Sequence, residues 1–231
     1  LGVAGPSFEF LGSAADLATV SAAIDGAAQV IEREFYFPML AHAPMEPMGA
    51  TIEPTEDGGV IMHDGAQFPT ANNMVLGQVL DLPPEKIRIN TLYAGGFFGR
   101  RATPSSDYIV EAALAFAMTD RSRPVKLVWS REDDITGGYY RPAMAHRVRV
   151  GLDPDGGILG WDHRVAGQSI FKGTAFEQMI VRDGVDGSSV EGIADGAYTI
   201  PSLHLGLTDA RPATTVNWWR SVGHSHTGYV M

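Results

Sequence analysis

The residues best able to do chemistry lie in one short stretch, Ala94-Gly95-Gly96-Phe97-Phe98-Gly99-Arg100-Arg101. Glycines let a backbone approach a bound group closely, and a loop entering a helix offers unpaired N–H groups to an anion. A phosphate-bearing nucleotide is the simplest such ligand. The order G-G-F-F-G departs from the G-x-G-x-x-G dinucleotide fingerprint, and two Phe stand where a pyrophosphate would lie. No G-x-x-x-x-G-K-[ST] segment occurs. Taken alone, the loop is equally compatible with a tight strand-to-helix turn built on structural glycines.

Other candidates are weaker. His224 and His226 could present two imidazoles from an extended segment to a metal, but no third ligand lies nearby, and a polar loop is the simpler reading. His42 and Glu46, with Pro44 between them, cannot share a helix face and read as a loop hydrogen-bond pair. Arg131-Glu132-Asp133-Asp134 reads as a solvated charge run. Met39, Met45, Met48 and Met74 read as packing, and Trp218-Trp219 as core or subunit contact.

Composition narrows the chemistry. The chain has 231 residues and no Cys, which excludes a Cys nucleophile, a thiolate zinc site and an iron–sulfur cluster held by this chain. The absence of Cys leaves the compartment undetermined, because a Cys-free chain fits either side of a membrane. Seventeen basic against 27 acidic residues give a net charge of −10, which disfavours a nucleic-acid partner. The longest apolar run, from Ile109 to Met118, contains Glu111 and is too short for a membrane span. The chain begins with Leu1, without a basic and apolar leader, and is expected to be a piece of a longer polypeptide or one chain of a split one.

The elements that must position the Gly loop are the most regular in the chain. Residues 14–30 are Ala-rich and predict a helix; 31–37 predict a strand, followed by a Pro-rich loop from Pro38 to Pro54. Gly59–Met62 reads as a strand leading to Gln67. A helix capped by Thr70 is expected through Leu82, with Val75, Val79 and Leu82 on one face. Lys86–Tyr93 reads as a strand, Ser106–Met118 as a helix burying Ile109, Ala112, Ala113, Phe116 and Ala117, and Val125–Trp129 as a strand. Residues 59–129 therefore read β-α-β-(Gly loop)-α-β. From residue 144 the period becomes that of strands. His146–Leu152 and Ile158–Val165 form a hairpin across Asp153-Pro154-Asp155-Gly156-Gly157. Gly184–Gly196 is expected as a surface loop and Tyr198–Leu207 as a strand pair or meander. The expected fold class is α+β, with a β-α-β-α-β unit and a β-rich second half.

AGGFFGRR, preceded by GAQFPTANNMVLGQVLDLPPEKIRINTLY, resembles the molybdenum-cofactor-binding subunit of the xanthine dehydrogenase/aldehyde oxidoreductase family. The similarity is to its branch of isoquinoline 1-oxidoreductase β subunits and related bacterial aldehyde dehydrogenases. AHAPMEPMGA (41–50), RPAMAHRVRVGLDPDGGILGWDHRV (141–165) and NWWRSVGHSHTGYV (217–230) fit in the same order, so the resemblance covers nearly all of the chain from Ile31. It implies a division into an N-terminal Ala-rich helical segment, residues 1–30, and the first part of a molybdenum-cofactor-binding domain, residues 31–231.

The resemblance also implies roles. Gln67 would donate an amide hydrogen bond to an oxo ligand of the metal, and is the one residue here given a catalytic part. Gly95, Gly96, Phe97, Phe98 and Gly99 would hold the cofactor, with the N–H groups of Phe98 and Gly99 facing the metal and pterin. Arg220 would contact the cofactor through its main chain. The implied cofactor is molybdopterin, in its cytosine dinucleotide form, carried by the longer enzyme and absent from this chain alone. The implied partners are a 2Fe-2S iron–sulfur subunit that takes the electrons, the C-terminal remainder of the molybdenum subunit with its catalytic Glu, and a small-molecule substrate, an aldehyde or N-heteroaromatic. Phe97 departs from the third Gly of the family loop. Ala102, Val222 and the lack of Arg in 188–195 depart from purine-oxidising members and argue against xanthine-type recognition. Two alternatives stand beside this reading: a nucleotide-binding Rossmann-like oxidoreductase, argued from the Gly loop, and a non-catalytic remnant or scaffold without the catalytic Glu.

Overall fold

The computed structural model describes residues 4–9, 15–210 and 213–231. Its principal elements in chain order are β1 (Ala4–Glu9), α1 (Leu17–Asp25), β2 (Gln29–Phe37), β3 (Gly49–Pro54), β4 (Val60–Asp64), α2 (Pro69–Leu80), β5 (Ile87–Thr91), α3 (Asp107–Ala117), β6 (Val125–Val128), α4 (Arg131–Thr136), β7 (Met144–Leu152), β8 (Ile158–Gly167), β9 (Leu203–Ala210) and α5 (His224–Val230). Mixed helix and strand bear out the α+β expectation. Two compact units result: residues 41–139, and residues 1–40 with 140–231.

In the unit of residues 41–139, four strands run in the order β5-β4-β3-β6. Strands β4 and β5 are parallel, while β3 is antiparallel to both β4 and β6. One parallel pair in four strands is not the doubly wound parallel sheet that a Rossmann-like enzyme requires, so that alternative is overturned. The expected β-α-β-loop-α-β order from 59 to 129 is present. The expected Pro-rich loop 38–54 instead contains β3, a central strand of this sheet, with Pro54 at its end, where no further ladder donor is needed. Helices α2 and α3 cover the sheet through a core that includes Met48, Ile52, Met62, Leu76, Leu80, Ile109 and Phe116. The most buried residues of α2 are Asn72, Leu76 and Leu80, while Val79 and Leu82 of the expected Val75/Val79/Leu82 face are partly buried against the same core, and the helix begins at Pro69 and not at a Thr70 cap. Helix α3 buries Ile109, Ala112, Ala113 and Phe116 as expected; Tyr108 joins them, and Ala117 is half-buried.

In the other unit, five strands run β1-β9-β8-β7-β2, with only β8 and β9 parallel. The hairpin β7–β8 turns at Asp153–Gly157, where Asp153 Oδ1 accepts the N–H groups of Asp155 and Gly157 at 2.9 and 2.7 Å. Helix α1 is capped by Asp16 and ends at Gly26, and β2 starts at Gln29, so the expected helix over 14–30 is shorter at both ends. Ala14, and residues 1–3 and 10–13 of the expected N-terminal segment, lie outside the described residues. Val20 and Ile24 of α1 pack on the sheet where a side chain at Gly151 would strike Ile24 Cα at 2.8 Å. Residues 184–196 are not a surface loop: Val190 and Ile193 are fully buried in the core with Met144, Val165, Leu205 and Leu207. The expected strand pair over 198–207 is the single strand β9, which starts at Leu203. Met48 packs in a core as expected, whereas Met45 and Met74 are exposed.

Candidate cofactor site

Because β4 and β5 are parallel neighbours, their C-terminal ends emerge side by side. The residues after β4 lead to Gln67, and those after β5 lead to the Gly loop. The Leu92 N–H donates to Asp64 O at 2.9 Å, extending the ladder to the point where the two segments meet. Gly65 sits where a side chain would collide with Ala94 Cβ, so the approach needs a glycine. Gly96 and Gly99 adopt φ of +115° and +101°, and Phe98 takes φ +54°, a left-handed conformation uncommon outside glycine.

Gln67 binds the loop through its carbonyl. Its Oε1 accepts the backbone N–H of Gly99 and of Arg101, both at 3.2 Å. Two backbone donors require an oxygen there, so the amide orientation follows from the contacts and Nε2 is left as the outward donor of an exposed side chain. The Gly99 N–H is thus engaged by Gln67.

Beneath the loop lies a charged network that the sequence reading did not find. Asp64 is the third inward residue of β4, after Val60 and Met62. Its carboxylate pairs with Arg101 Nη1 at 3.2 Å and accepts the Tyr108 hydroxyl at 2.7 Å. Burial raises the Asp64 carboxyl above its ordinary range, against the lowering effect of the Tyr108 hydrogen bond and the Arg101 charge; burial and Asp64 together push the Tyr108 phenol up. Arg101 also donates from Nε to Gly96 O at 3.1 Å and from Nη2 to Glu46 O at 3.3 Å. Glu46 Oε2 accepts the Gly95 N–H at 2.6 Å, and the Glu46 N–H donates to Gly95 O at 3.0 Å. Glu46 therefore clamps the loop, and His42 turns instead to Tyr139 O at 3.1 Å, so the expected His42–Glu46 pair does not form.

Arg100 is fully buried. It forks onto Asp107 at 3.0 and 2.8 Å, lies 3.5 Å from Asp134, and stacks over Trp129 at 5.1 Å. Asp134 is buried as its partner, so the 131–134 segment is not simply solvated: it forms α4, started by a Ser130–Asp133 capping box. The two adjacent arginines thus point opposite ways, Arg101 under the loop and Arg100 into the helix layer, and they fix both ends of the turn that follows Gly99.

The structure brings together Gln67, Gly95, Gly96, Phe97, Phe98 and Gly99. Arg220 belongs to the other unit, where it is exposed on a turn closed by a Val222 N–H to Trp219 O hydrogen bond of 2.8 Å. His224 and His226 lie on α5, not in a loop, and His226 is buried against His146. No cluster of three His, Asp or Glu able to hold a metal occurs among the described residues.

Residues 11–227 match the family of molybdopterin cofactor-binding domains. The chain belongs to that family. It is 31% identical over 187 residues to the β subunit of isoquinoline 1-oxidoreductase from Brevundimonas diminuta, covering 80% of this chain and 23% of that protein. A membrane-bound aldehyde dehydrogenase of Gluconacetobacter polyoxogenes is 28% identical over 221 residues, covering 91% of this chain and 27% of that one. The fold superimposes on quinoline 2-oxidoreductase from Pseudomonas putida 86 with a TM-score of 0.73 at 18% identity, over 96% of this chain and 27% of that chain. It superimposes on the aldehyde oxidoreductase of Desulfovibrio gigas with a TM-score of 0.69 at 18% identity, over 96% and 23%. The chain thus spans about a quarter of the length of these relatives. Among the described residues no helix is long and apolar enough to cross a membrane.

The residues present fit a molybdopterin-type cofactor. An exposed amide donor stands beside a glycine turn packed closely on the protein, where a side chain at Gly95 would meet Glu46 Cβ at 2.8 Å and one at Gly96 would meet Pro44 Cβ at 3.0 Å.

Proposed function

We propose that this chain is the first part of the molybdenum subunit of a hydroxylase that oxidises an aldehyde or an N-heteroaromatic compound with water-derived oxygen. The observation that carries this reading is the division of labour within Gln67: its Oε1 fastens the Gly loop and its Nε2 faces outward. When bound, the cofactor supplies the oxygen-transfer and two-electron chemistry. This chain's residues hold and orient. Gln67 Nε2 donates to an acceptor on the cofactor without titrating. The Gly95–Gly99 loop gives a surface without side-chain bulk at Gly95 and Gly96, and Phe97 and Phe98 flank it. From the resemblance alone, Arg220 is assigned a main-chain contact to the cofactor. Arg101 and Glu46 keep the loop from relaxing. The cytosine dinucleotide form of molybdopterin, a 2Fe-2S subunit as electron acceptor, and a catalytic Glu from the remainder of the molybdenum subunit complete the enzyme.

The test is to produce the longer subunit with its iron–sulfur partner and measure molybdenum content and turnover of an aldehyde and an N-heteroaromatic panel. Stoichiometric molybdenum with turnover of either class is expected. A subunit that folds, carries no molybdenum and turns over nothing would leave the scaffold reading in its place.

A further inference from the structure

In the unit of residues 1–40 and 140–231, helix α5 is tied to its sheet by three histidines in a line. His146 on β7, His163 on β8 and His226 on α5 are all buried. His146 Nδ1 lies 2.8 Å from His163 Nε2, and His146 Nε2 lies 2.9 Å from His226 Nδ1. Trp161 Nε1 closes the far end of the line, 3.4 Å from His163 Nδ1.

The protons of this line can be counted. It has three contacts, and each holds one proton, because a second would set donor against donor. An indole nitrogen only donates, so Trp161 fills the first contact. His163 then donates from Nε2 to His146, and His146 donates from Nε2 to His226. The proton of His226 stands on Nε2, outside the line. Three neutral rings therefore fill every place. One more proton, on whichever ring, must set two N–H groups face to face at one of the contacts.

The surroundings do not relieve an added charge. Met144, Val148 and Val150 share the inward face of β7 with His146, and Leu205 of β9 lies opposite His163. Phe37 of β2 packs on the rings of His146 and His226 at 5.5 and 6.1 Å. The charged and titratable groups on this side are Arg33 of β2, Asp209 of β9 with its partner Lys172, Arg141, Glu191, His224 and Tyr229. Arg141 and His224 repel a proton on His226. Glu191 is held by His224 Nδ1 at 3.2 Å and by the Gly223 N–H at 3.0 Å, and Asp209 by Lys172 at 2.9 Å. Among the described residues no carboxylate pairs with the three rings. Burial accordingly holds their values at about 4, 3 and 3 for His146, His163 and His226.

The other ties of α5 lie at its margin. Thr227 Oγ1 donates to Glu191 O at 2.7 Å, and the exposed Tyr229 meets Phe35 and Phe37 edge-on at 6.0 Å. The helix is one piece with the turn of residues 219–223: the Ser225 N–H donates to Val222 O and the His226 N–H to Gly223 O, both at 3.2 Å. Within that turn Val222 is held at φ +48°, a conformation uncommon for a β-branched residue.

We propose that this line of histidines is an acid-released latch: neutral, it holds α5 and the turn of residues 219–223 on the sheet, and uptake of one proton frees both. The latch does not rest on the cofactor reading. That reading gives its release a consequence, because the freed turn carries Arg220.

Hydrogen exchange of the 231-residue chain, read by peptide mass at pH 7.5, 6.5 and 5.0 with times scaled for unprotected amides, tests the latch. Release returns His226 to its ordinary value of 6.5, so protection of residues 224–231 should fall about ten-fold per pH unit below 6.5. The hairpin of residues 144–167 should stay at least about ten-fold better protected at every pH. Trp161→Phe empties the first contact and lets the docked line accept the extra proton. Relative to its own value at pH 7.5, this variant should keep at least about three-fold more protection of 224–231 at pH 5.0 than the native chain. His226→Phe keeps a ring against Phe37 but has no nitrogen to protonate, and should flatten the fall to less than about three-fold per pH unit. If a variant does not fold, the two native slopes still decide. Protection of 224–231 that is flat from pH 6.5 to 5.0, or that is lost only together with the hairpin, would overturn the proposal, as would a Trp161→Phe chain more acid-sensitive by that ratio than the native one.

Discussion

Arg101 donates from Nε to the carbonyl oxygen of Gly96 at 3.1 Å, so a buried cation grips the glycine loop from beneath. The same guanidinium pairs with Asp64, which has no other cation within ion-pair distance among the described residues. Removing it leaves a buried carboxylate uncompensated. Arg101→Met is expected to lower unfolding stability by about 3–5 kcal/mol, and Asp64→Asn in that background to recover part of the loss. Urea unfolding of the four proteins of this cycle checks it; a loss below about 1 kcal/mol would show that Asp64 is solvated.

Glycine positions separate loop geometry from bulk. Gly96 and Gly58 both have positive φ, but a side chain at Gly58 would meet nothing within 4 Å, while one at Gly96 would meet Pro44. Gly58→Ala should cost about 1 kcal/mol from backbone strain alone, and Gly96→Ala more than that. In the longer subunit, Gly96→Ala should also lower molybdenum content, whereas Gly58→Ala should not. Equal effects of the two substitutions on stability and metal content would count against a loop whose close packing on Pro44 shapes the cofactor site.

Acid sensitivity follows from the three buried histidines. Their folded values of about 4, 3 and 3 lie below 6.5, so the unfolded chain binds protons that the folded chain excludes. Stability therefore falls as pH drops through 6.5 and keeps falling until the folded values are reached. The slope approaches three protons, about 4 kcal/mol per pH unit. Asp64, raised by burial, works in the opposite sense but for one proton. Urea midpoints at pH 7.5 and 5.0 measure the slope. It should become shallower by about one proton in His146→Gln, and a midpoint unchanged over this range would contradict a neutral buried chain.

The 231-residue chain purified alone is expected to contain no molybdenum. It supplies one amide donor and one loop, and a bound pterin would keep many of its polar groups in water. Elemental analysis of the isolated chain settles this, and stoichiometric metal would mean that Gln67 and the Gly loop suffice.

Local signals made part of this protein legible before its structure. The Gly loop, the two helices beside it and the Asp153–Gly157 hairpin were readable because turn residues and periodicity are properties of neighbouring residues. Strand β3 was hidden because Pro54 and the prolines before it mask a short run, Gly49–Pro54, whose place is fixed only by pairing with β4 and β6. The Asp64–Arg101 pair joins residues far apart in sequence, and its one local signal was a carboxylate at an inward position of Val60-Ile61-Met62-His63-Asp64. His146 and His163 likewise stand on inward strand faces, but their contact depends on a register in which His163 lies opposite Val148 and Val165 opposite His146. His226 falls in an expected polar loop because the seven-residue helix His224–Val230 carries little apolar pattern.

The central claim is that the outward amide of Gln67 acts on the reaction and not only on the fold of the loop. Turnover per bound molybdenum in the longer subunit with its iron–sulfur partner tests it most directly, comparing Gln67 with Gln67→Ala. Occupancy is divided out, so loss of cofactor through a loosened loop does not enter the ratio. The account predicts a fall in kcat per molybdenum of about 10²–10³ with KM changed far less, as for loss of one preorganised donor whose effect grows in the transition state. An unchanged kcat per molybdenum would contradict it, and would reduce Gln67 to the bracket that holds Gly99 and Arg101 in place.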